Sequence, residues 1–100
     1  MEQYSHAYLC SDILLDKEIK SVDKTIWGVI RMWNEEIGDR PVVLTTQDLS
    51  KILGKSHATV TRSIHRLKKN DCLKTFYLEG RHYKYAHYKG RTLAGAEGNG

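Results

Sequence analysis

The amino-acid sequence predicts an α+β fold in which a three-helix core is followed by a C-terminal β-hairpin. Apolar residues recur at helical spacing in three segments that begin near residues 21, 46 and 56. Two β-prone segments, 73–78 and 82–88, follow the third helical segment. The residues between them, 79–81, contain a glycine that is available for positive φ, which favours a hairpin connection. Loops of two and three residues both fit, and they place the strand side chains on different faces.

The first helix is predicted to begin after Ser21, a suitable N-cap residue, and to end before Gly38. Its apolar residues form one narrow stripe. Trp27 and Met32 lie on the flanks of this stripe, where they either complete the core or face a partner. The stripe consists of Val22, Ile26, Val29, Ile30, Trp33 and Ile37.

A short β-prone segment, 42–44, precedes the second helix, for which Thr46 is the predicted cap. Gly54 permits an abrupt turn into the third helix, which Ser56 caps. Ser50 is small enough to let the two helices approach closely. The apolar residues expected to meet across the turn are Leu49, Ile52, Leu53, Val60, Ile64 and Leu67.

Three regions are expected along the chain. Residues 1–20 form an N-terminal segment with a short edge strand at 8–11 and a core-docking turn at 13–15. Residues 21–88 form the folded domain. Residues 89–100 are rich in Gly and Ala without periodicity, which predicts a flexible tail.

Charge is distributed unevenly along the 100 residues. The net charge is +4, but residues 1–40 carry five Lys or Arg against eight Asp or Glu (5 − 8 = −3), whereas residues 41–100 carry eleven against four (11 − 4 = +7). The basic half includes the whole third helix. This asymmetry favours a surface that binds a polyanion.

The sequence also indicates a compartment. No apolar run approaches the ~20 residues needed to span a bilayer. The N-terminus lacks the pattern of a signal peptide, so a cytoplasmic protein that does not enter a membrane is expected. Cys10 and Cys72 are far apart and form no CxxC motif, which favours buried thiols over a disulfide.

The segment TTQDLSKILGKSHATVTRSIHRLKKNDCL, followed by TFYLEGRHYKYAHY, resembles the winged helix-turn-helix family, and the resemblance covers residues 21–88. It implies a small transcriptional regulator that binds double-stranded DNA and acts as a repressor by occupancy. Helix 56–69 would enter the major groove, and the wing at 79–84 would contact the backbone or the minor groove.

Projection of the third helix at about 100° per residue gives each residue of its exposed face an expected role. Arg62 could bond a guanine bidentately, and Thr59 or the Ala58 methyl group could contact a thymine. The lysines and Arg66 suit phosphate contacts. The resemblance adds the wing residues. The full set of predicted DNA-binding residues is Lys55, Ser56, His57, Ala58, Thr59, Thr61, Arg62, His65, Arg66, Lys68, Lys69, Arg81, His82 and Lys84.

Metal binding and catalysis are not expected. His82 and His87 are five residues apart on a strand and so point to opposite faces, and His57 and His65 diverge on a helix. These histidines are expected at the surface. No serine, histidine and acid are spaced to form a nucleophilic site, and no glycine loop is placed to bind phosphate. We therefore expect neither an enzyme nor a cofactor.

Three alternatives stay open. The segment DILLDKEIKSVDKTIWGVIRMWNEE also resembles the entry to the winged-helix modules of plasmid and phage replication initiators. A winged helix can also be a protein-interaction adaptor without affinity for DNA. A homodimer would use the N-terminal segment or the exposed flank of the first helix, with Tyr8, Trp27 and Met32 as the contact residues.

Overall fold

The predicted α+β class is confirmed by a computed structural model, which describes residues 12–89. A helical turn at 12–15 precedes the main elements. The predicted strand at 8–11 lies outside the described residues, as does the tail beyond Lys89. The elements are α1 (Ser21–Glu36), β1 (Val42–Val43), α2 (Thr46–Leu53), α3 (His57–Lys69), β2 (Leu73–Leu78) and β3 (Arg81–Ala86).

Helix α1 supplies the centre of the core. Ile26, Trp27 and Ile30 are almost completely buried. The Trp27 indole N–H donates to the carbonyl oxygens of Cys72 at 3.1 Å and His87 at 2.8 Å. These carbonyl groups supply the internal acceptor that a buried indole needs. Because Trp27 is 1% exposed, it belongs to the core and is not available to a partner.

The N-terminal cap of α1 differs from the prediction, whereas the helix ends before Gly38 as predicted, with Gly38 at φ +90°. Ser21 is the first helical residue, and the N-cap is Lys20, which makes no side-chain capping bond. Ile37 follows the helix and is 45% exposed, so it does not continue the buried stripe. Of the predicted core-docking turn at 13–15, Ile13 is buried as expected, whereas Leu14 and Leu15 are exposed.

Helix α2 is capped one residue earlier than predicted. The Thr45 hydroxyl accepts from the Asp48 N–H, and the Asp48 carboxylate accepts from the Thr45 N–H, which makes a capping box. Gly54 ends the helix at φ +66°, in the left-handed region that favours glycine. Ile52 is 47% exposed and so does not pack against α3 as predicted; Leu49 is the buried residue of this helix.

Helix α3 begins as predicted. The Ser56 hydroxyl accepts from the Thr59 N–H at 3.1 Å, which confirms Ser56 as the N-cap. The side chains of Val60, Ile64 and Leu67 are buried against the core.

The three strands form an antiparallel sheet in the order β1-β3-β2. A two-residue turn joins β2 to β3, and both of its residues, Glu79 and Gly80, have positive φ, as a type I′ turn requires. This turn sets the register, in which Leu78 pairs with Arg81 and Thr75 with Lys84.

Polar side chains of α1 attach the helix to the sheet. Arg31 donates to the Ala86 carbonyl at 2.7 Å, and the Asn34 amide oxygen accepts from the Ala86 N–H at 2.9 Å. The Arg31 guanidinium also contacts Asp39, which accepts a hydrogen bond from the Tyr85 hydroxyl at 2.8 Å. These bonds satisfy polar groups that lie away from water, and they hold the base of the hairpin against α1.

Candidate nucleic-acid interface

The candidate site is the outer face of α3 together with the tip of the hairpin. The inner side of α3 is fixed by its packing against α1 and α2. Residues 54–70 contain no Asp or Glu. The outer face of the helix is therefore lined by cations, small polar residues and Ala58, without a negative charge, an arrangement suited to a polyanion.

At the N-terminal end of α3, the cap places constraints on the candidate base contacts. Thr59 is half-buried, and its hydroxyl accepts from the Ser56 hydroxyl at 2.9 Å. The Thr59 hydroxyl is thus part of the cap, although its oxygen retains accepting capacity. His57, Ala58 and Thr61 are exposed. The exposed Ala58 methyl group is accordingly better placed than Thr59 to contact a thymine.

Arg62 is the exposed guanidinium in the middle of α3. Within residues 12–89 it has no hydrogen bond or ion pair, so its donors are available to an external acceptor. His65 is exposed one turn away from Thr61. Of the residues predicted to read bases, Arg62 is exposed and carries a planar fork of donors.

Arg66 does not face outward as predicted. Its Nε donates to Asp23 Oδ2 at 2.9 Å, and its Nη2 donates to Asp23 Oδ1 at 2.8 Å. Asp23 lies in the first turn of α1 and is 1% exposed. This bidentate pair raises the pKa of Arg66 above its ordinary range, and it engages the Nε and Nη2 donors that a phosphate would otherwise meet.

Three lysines around α3 remain suited to phosphate. Lys55 precedes the helix, and Lys68 and Lys69 lie in its last turn; all three are exposed. None is held in an ion pair within the described part of the chain. Flexible ammonium groups of this kind add affinity without reading sequence.

The tip of the hairpin carries two of the predicted wing residues at the surface. Arg81 and His82 are exposed, and the His82 ring lies 4.8 Å from the cross-strand Tyr77 ring. Of the hairpin tyrosines, Tyr85 is buried, whereas Tyr77 is 69% exposed.

Lys84 is the third predicted wing residue, and this prediction is wrong. Lys84 is 5% exposed, and its ammonium group donates to the Leu44 carbonyl at 2.7 Å. Burial lowers the pKa of Lys84 below its ordinary value, and the charge of Lys68 lowers it further. The side chain points inward because Lys84 lies on the same face of the sheet as Leu73 and Ala86, which are buried.

The histidines separate into two groups. His57, His65 and His82 are exposed, as predicted, but His87 is completely buried, which corrects the expectation that it lies at the surface. Burial lowers the pKa of His87 below its ordinary value, and Asp71, 3.7 Å away, opposes this shift. Residues 12–89 hold no group of three or more His, Cys, Asp or Glu side chains that could bind a metal ion.

Sequence reasoning missed Asp23 and Ser63, which connect α1 to α3. The Ser63 side chain is buried and donates to Asp23. A signal was present, because Ser63 falls within the buried arc of α3 next to Val60 and Leu67. A polar residue at such a position requires an internal partner, and the acidic residue in the first turn of α1 is that partner.

A scan against models of protein families, a search of curated proteins and a search of solved structures found no match to this chain. In the part of the chain that the structure describes, no helix is both long enough and apolar enough to cross a membrane. The function must therefore be inferred from the residues and their geometry.

Proposed function

We propose that this chain is a winged helix-turn-helix protein that binds double-stranded DNA and acts as a small transcriptional regulator, as a repressor by occupancy. The observation that carries the proposal is the outer face of α3, which is free of acidic residues, begins at a capped N-terminus and displays Arg62. Helix α3 would enter the major groove, and Arg81 at the hairpin tip would contact the backbone or the minor groove.

Titration of duplex DNA at several salt concentrations tests this proposal. If Lys55, Lys68, Lys69 and Arg81 each contact a phosphate, the logarithm of the binding constant should fall with the logarithm of salt concentration with a slope of about −3.6. Lys68→Gln should reduce the magnitude of this slope by about 0.9. Lys84→Gln is the matched control, because Lys84 is buried and should leave the slope unchanged.

The main alternative is a protein-interaction adaptor, and one observation favours it. The side chains of Phe76 and Leu78 are exposed on one face of β2, where they line a shared cavity with Ile37 and Tyr83, whereas Tyr77 lies on the opposite face. Exposed apolar residues that adjoin one another can mark a protein-binding surface. Absence of duplex binding even at low salt would reject the regulator and favour the adaptor.

A homodimer remains part of the proposal, although Trp27 is excluded from its interface. Of the other two predicted contact residues, Tyr8 lies outside the described residues, and Met32 is 53% exposed on α1 and is available for such a contact. Sedimentation of the protein at micromolar concentration, with and without duplex DNA, tests this; a monomer in both cases would reject the dimer.

A further inference from the structure

A buried carboxylate joins the first helix to the candidate DNA-binding helix. Asp23 accepts from Arg66 at 2.8 and 2.9 Å and from the Ser63 hydroxyl. Asp23 is 1% exposed, Ser63 is fully buried, and the Arg66 side chain is 32% exposed. Both carboxylate oxygens are therefore occupied by donors from α3.

The two donors fix more than the distance between the helices. Ser63 and Arg66 are three residues apart, so they lie on the same flank of α3 about one turn from each other. Attachment at two points along the axis restricts both the rotation of α3 about its axis and its tilt relative to α1. The carboxylate itself lies in the first turn of α1, where the helix dipole stabilises a negative charge.

The same pair also determines which arginine of α3 can meet DNA. Arg62 and Arg66 are four residues apart and therefore neighbours on the helix surface, where two unpaired cations would repel each other. Because Asp23 neutralises Arg66, Arg62 is the guanidinium on this side of α3 that stays available to an external acceptor.

We propose that Asp23 is a positioning residue of the DNA-binding surface. By holding Arg66 and Ser63, it keeps the Arg66 guanidinium away from phosphate and sets the rotation of α3 at which Arg62 meets the bases. The inference rests on the proposed DNA-binding function, and it makes the preference for one DNA sequence depend on a residue that does not touch DNA.

The test compares Asp23→Asn with the wild-type protein on two duplexes. One duplex is enriched from a random-sequence library with the wild-type protein, and the other is a shuffled sequence of the same composition. Fluorescence anisotropy at several salt concentrations gives the affinity for each duplex and the salt slope. Measurements are made well below the unfolding temperature of each variant, so that both proteins are fully folded.

We expect Asp23→Asn to lower the ratio of the two affinities by roughly fivefold or more, the lower limit for loss of one good base contact. The magnitude of the salt slope should rise by about 0.9, because the released Arg66 gains a phosphate. Glu36→Gln is the matched control: it removes an exposed carboxylate from the other end of α1 and should change neither quantity. A merely structural defect would not increase the salt slope.

Arg66→Gln provides a second variant that does not depend on the folding of Asp23→Asn. It should lower the affinity ratio without reducing the magnitude of the salt slope. If the magnitude of the salt slope of Arg66→Gln is about 0.9 below that of the wild-type protein, Arg66 contacts a phosphate in the wild-type protein, and the inference is overturned. An unchanged ratio and slope in Asp23→Asn would overturn it as well, while leaving DNA binding intact. If the wild-type protein binds neither duplex at low salt, the proposed function itself fails.

Discussion

Replacement of Thr45 by Ala should destabilise the protein more than replacement of its neighbour Thr46. The Thr45 hydroxyl accepts from the Asp48 N–H at 3.0 Å, and the Asp48 carboxylate returns a bond to the Thr45 N–H at 3.0 Å. Thr46 is the first helical residue and takes no part in either bond. Both threonines are half-buried, so Thr46→Ala is a matched control for loss of the same side-chain atoms.

The size of the effect follows from the lost cap. Removal of a threonine N-cap costs about 0.5–2 kcal/mol, typically about 1 kcal/mol. A loss of about 1 kcal/mol lowers the unfolding temperature of a domain of this size by roughly 4–8 °C. Urea titration and thermal unfolding, both followed by circular dichroism, measure the change. A cost for Thr46→Ala equal to or above that for Thr45→Ala would refute the assignment of the cap.

The pH dependence of the same variant gives an independent check. The hydrogen bond from the Thr45 N–H is the main cause that lowers the pKa of Asp48 below its ordinary value of 3.8. Because the pKa is lower in the folded state, this carboxylate contributes stability above about pH 4, and the contribution is lost as the pH falls through the folded-state pKa. Thr45→Ala keeps that backbone N–H and removes only the hydroxyl, which is the smaller cause of the lowered pKa. The difference in unfolding free energy between the wild-type protein and Thr45→Ala should therefore narrow only slightly in acid.

Two further substitutions test the hairpin and the core. Glu79→Asn should raise the unfolding free energy, measured by urea titration, by about 0.5–1 kcal/mol. The reason is that asparagine tolerates the positive φ of a type I′ turn better than glutamate does. Glu79→Gln should give no gain in stability, and a gain equal to that of Glu79→Asn would contradict this reasoning. His87 has a lowered pKa, so the wild-type protein should lose stability as the pH falls below about 6.5, the ordinary value. His87→Gln should be less stable than the wild-type protein near neutral pH, but its unfolding free energy should not fall between about pH 7 and 5.5. If the unfolding free energies of the two proteins instead fall in parallel over this range, the loss of stability belongs to groups other than His87.

The helices and their buried faces could be predicted because the apolar periodicity of a helix is a local property of the sequence. Ile26, Ile30 and Val60 are buried as their spacing indicated. The helix ends were less certain, since two adjacent threonines, Thr45 and Thr46, stand at the start of α2 and either residue type suits an N-cap. Asp48 decides between them, because it stands three residues after Thr45 and so completes a capping box.

The position of Lys84 could not be predicted, because it depends on the length of the hairpin loop. With the two-residue turn, Lys84 shares a face of the sheet with Leu73 and Ala86, which are buried. A loop longer by one residue would exchange the faces of β3 and place Lys84 at the surface. The sequence permits both loops, and the pairing of β3 with β1 as well as β2 adds a constraint that no local pattern contains.

Basic composition overstates the charge that such a surface offers to DNA, and the reason is physical. An ionised side chain that lies away from water needs a partner within the protein. A cation that is held by such a partner is therefore less available to an external polyanion. Arg31, Arg66 and Lys84 are held in this way. What remains around α3 and the hairpin tip is a smaller set, in which exposed lysines flank Arg62 and Arg81 lies at the tip. A protein with this arrangement should show a moderate salt dependence together with a marked sequence preference, whereas a count of basic residues alone would predict the reverse.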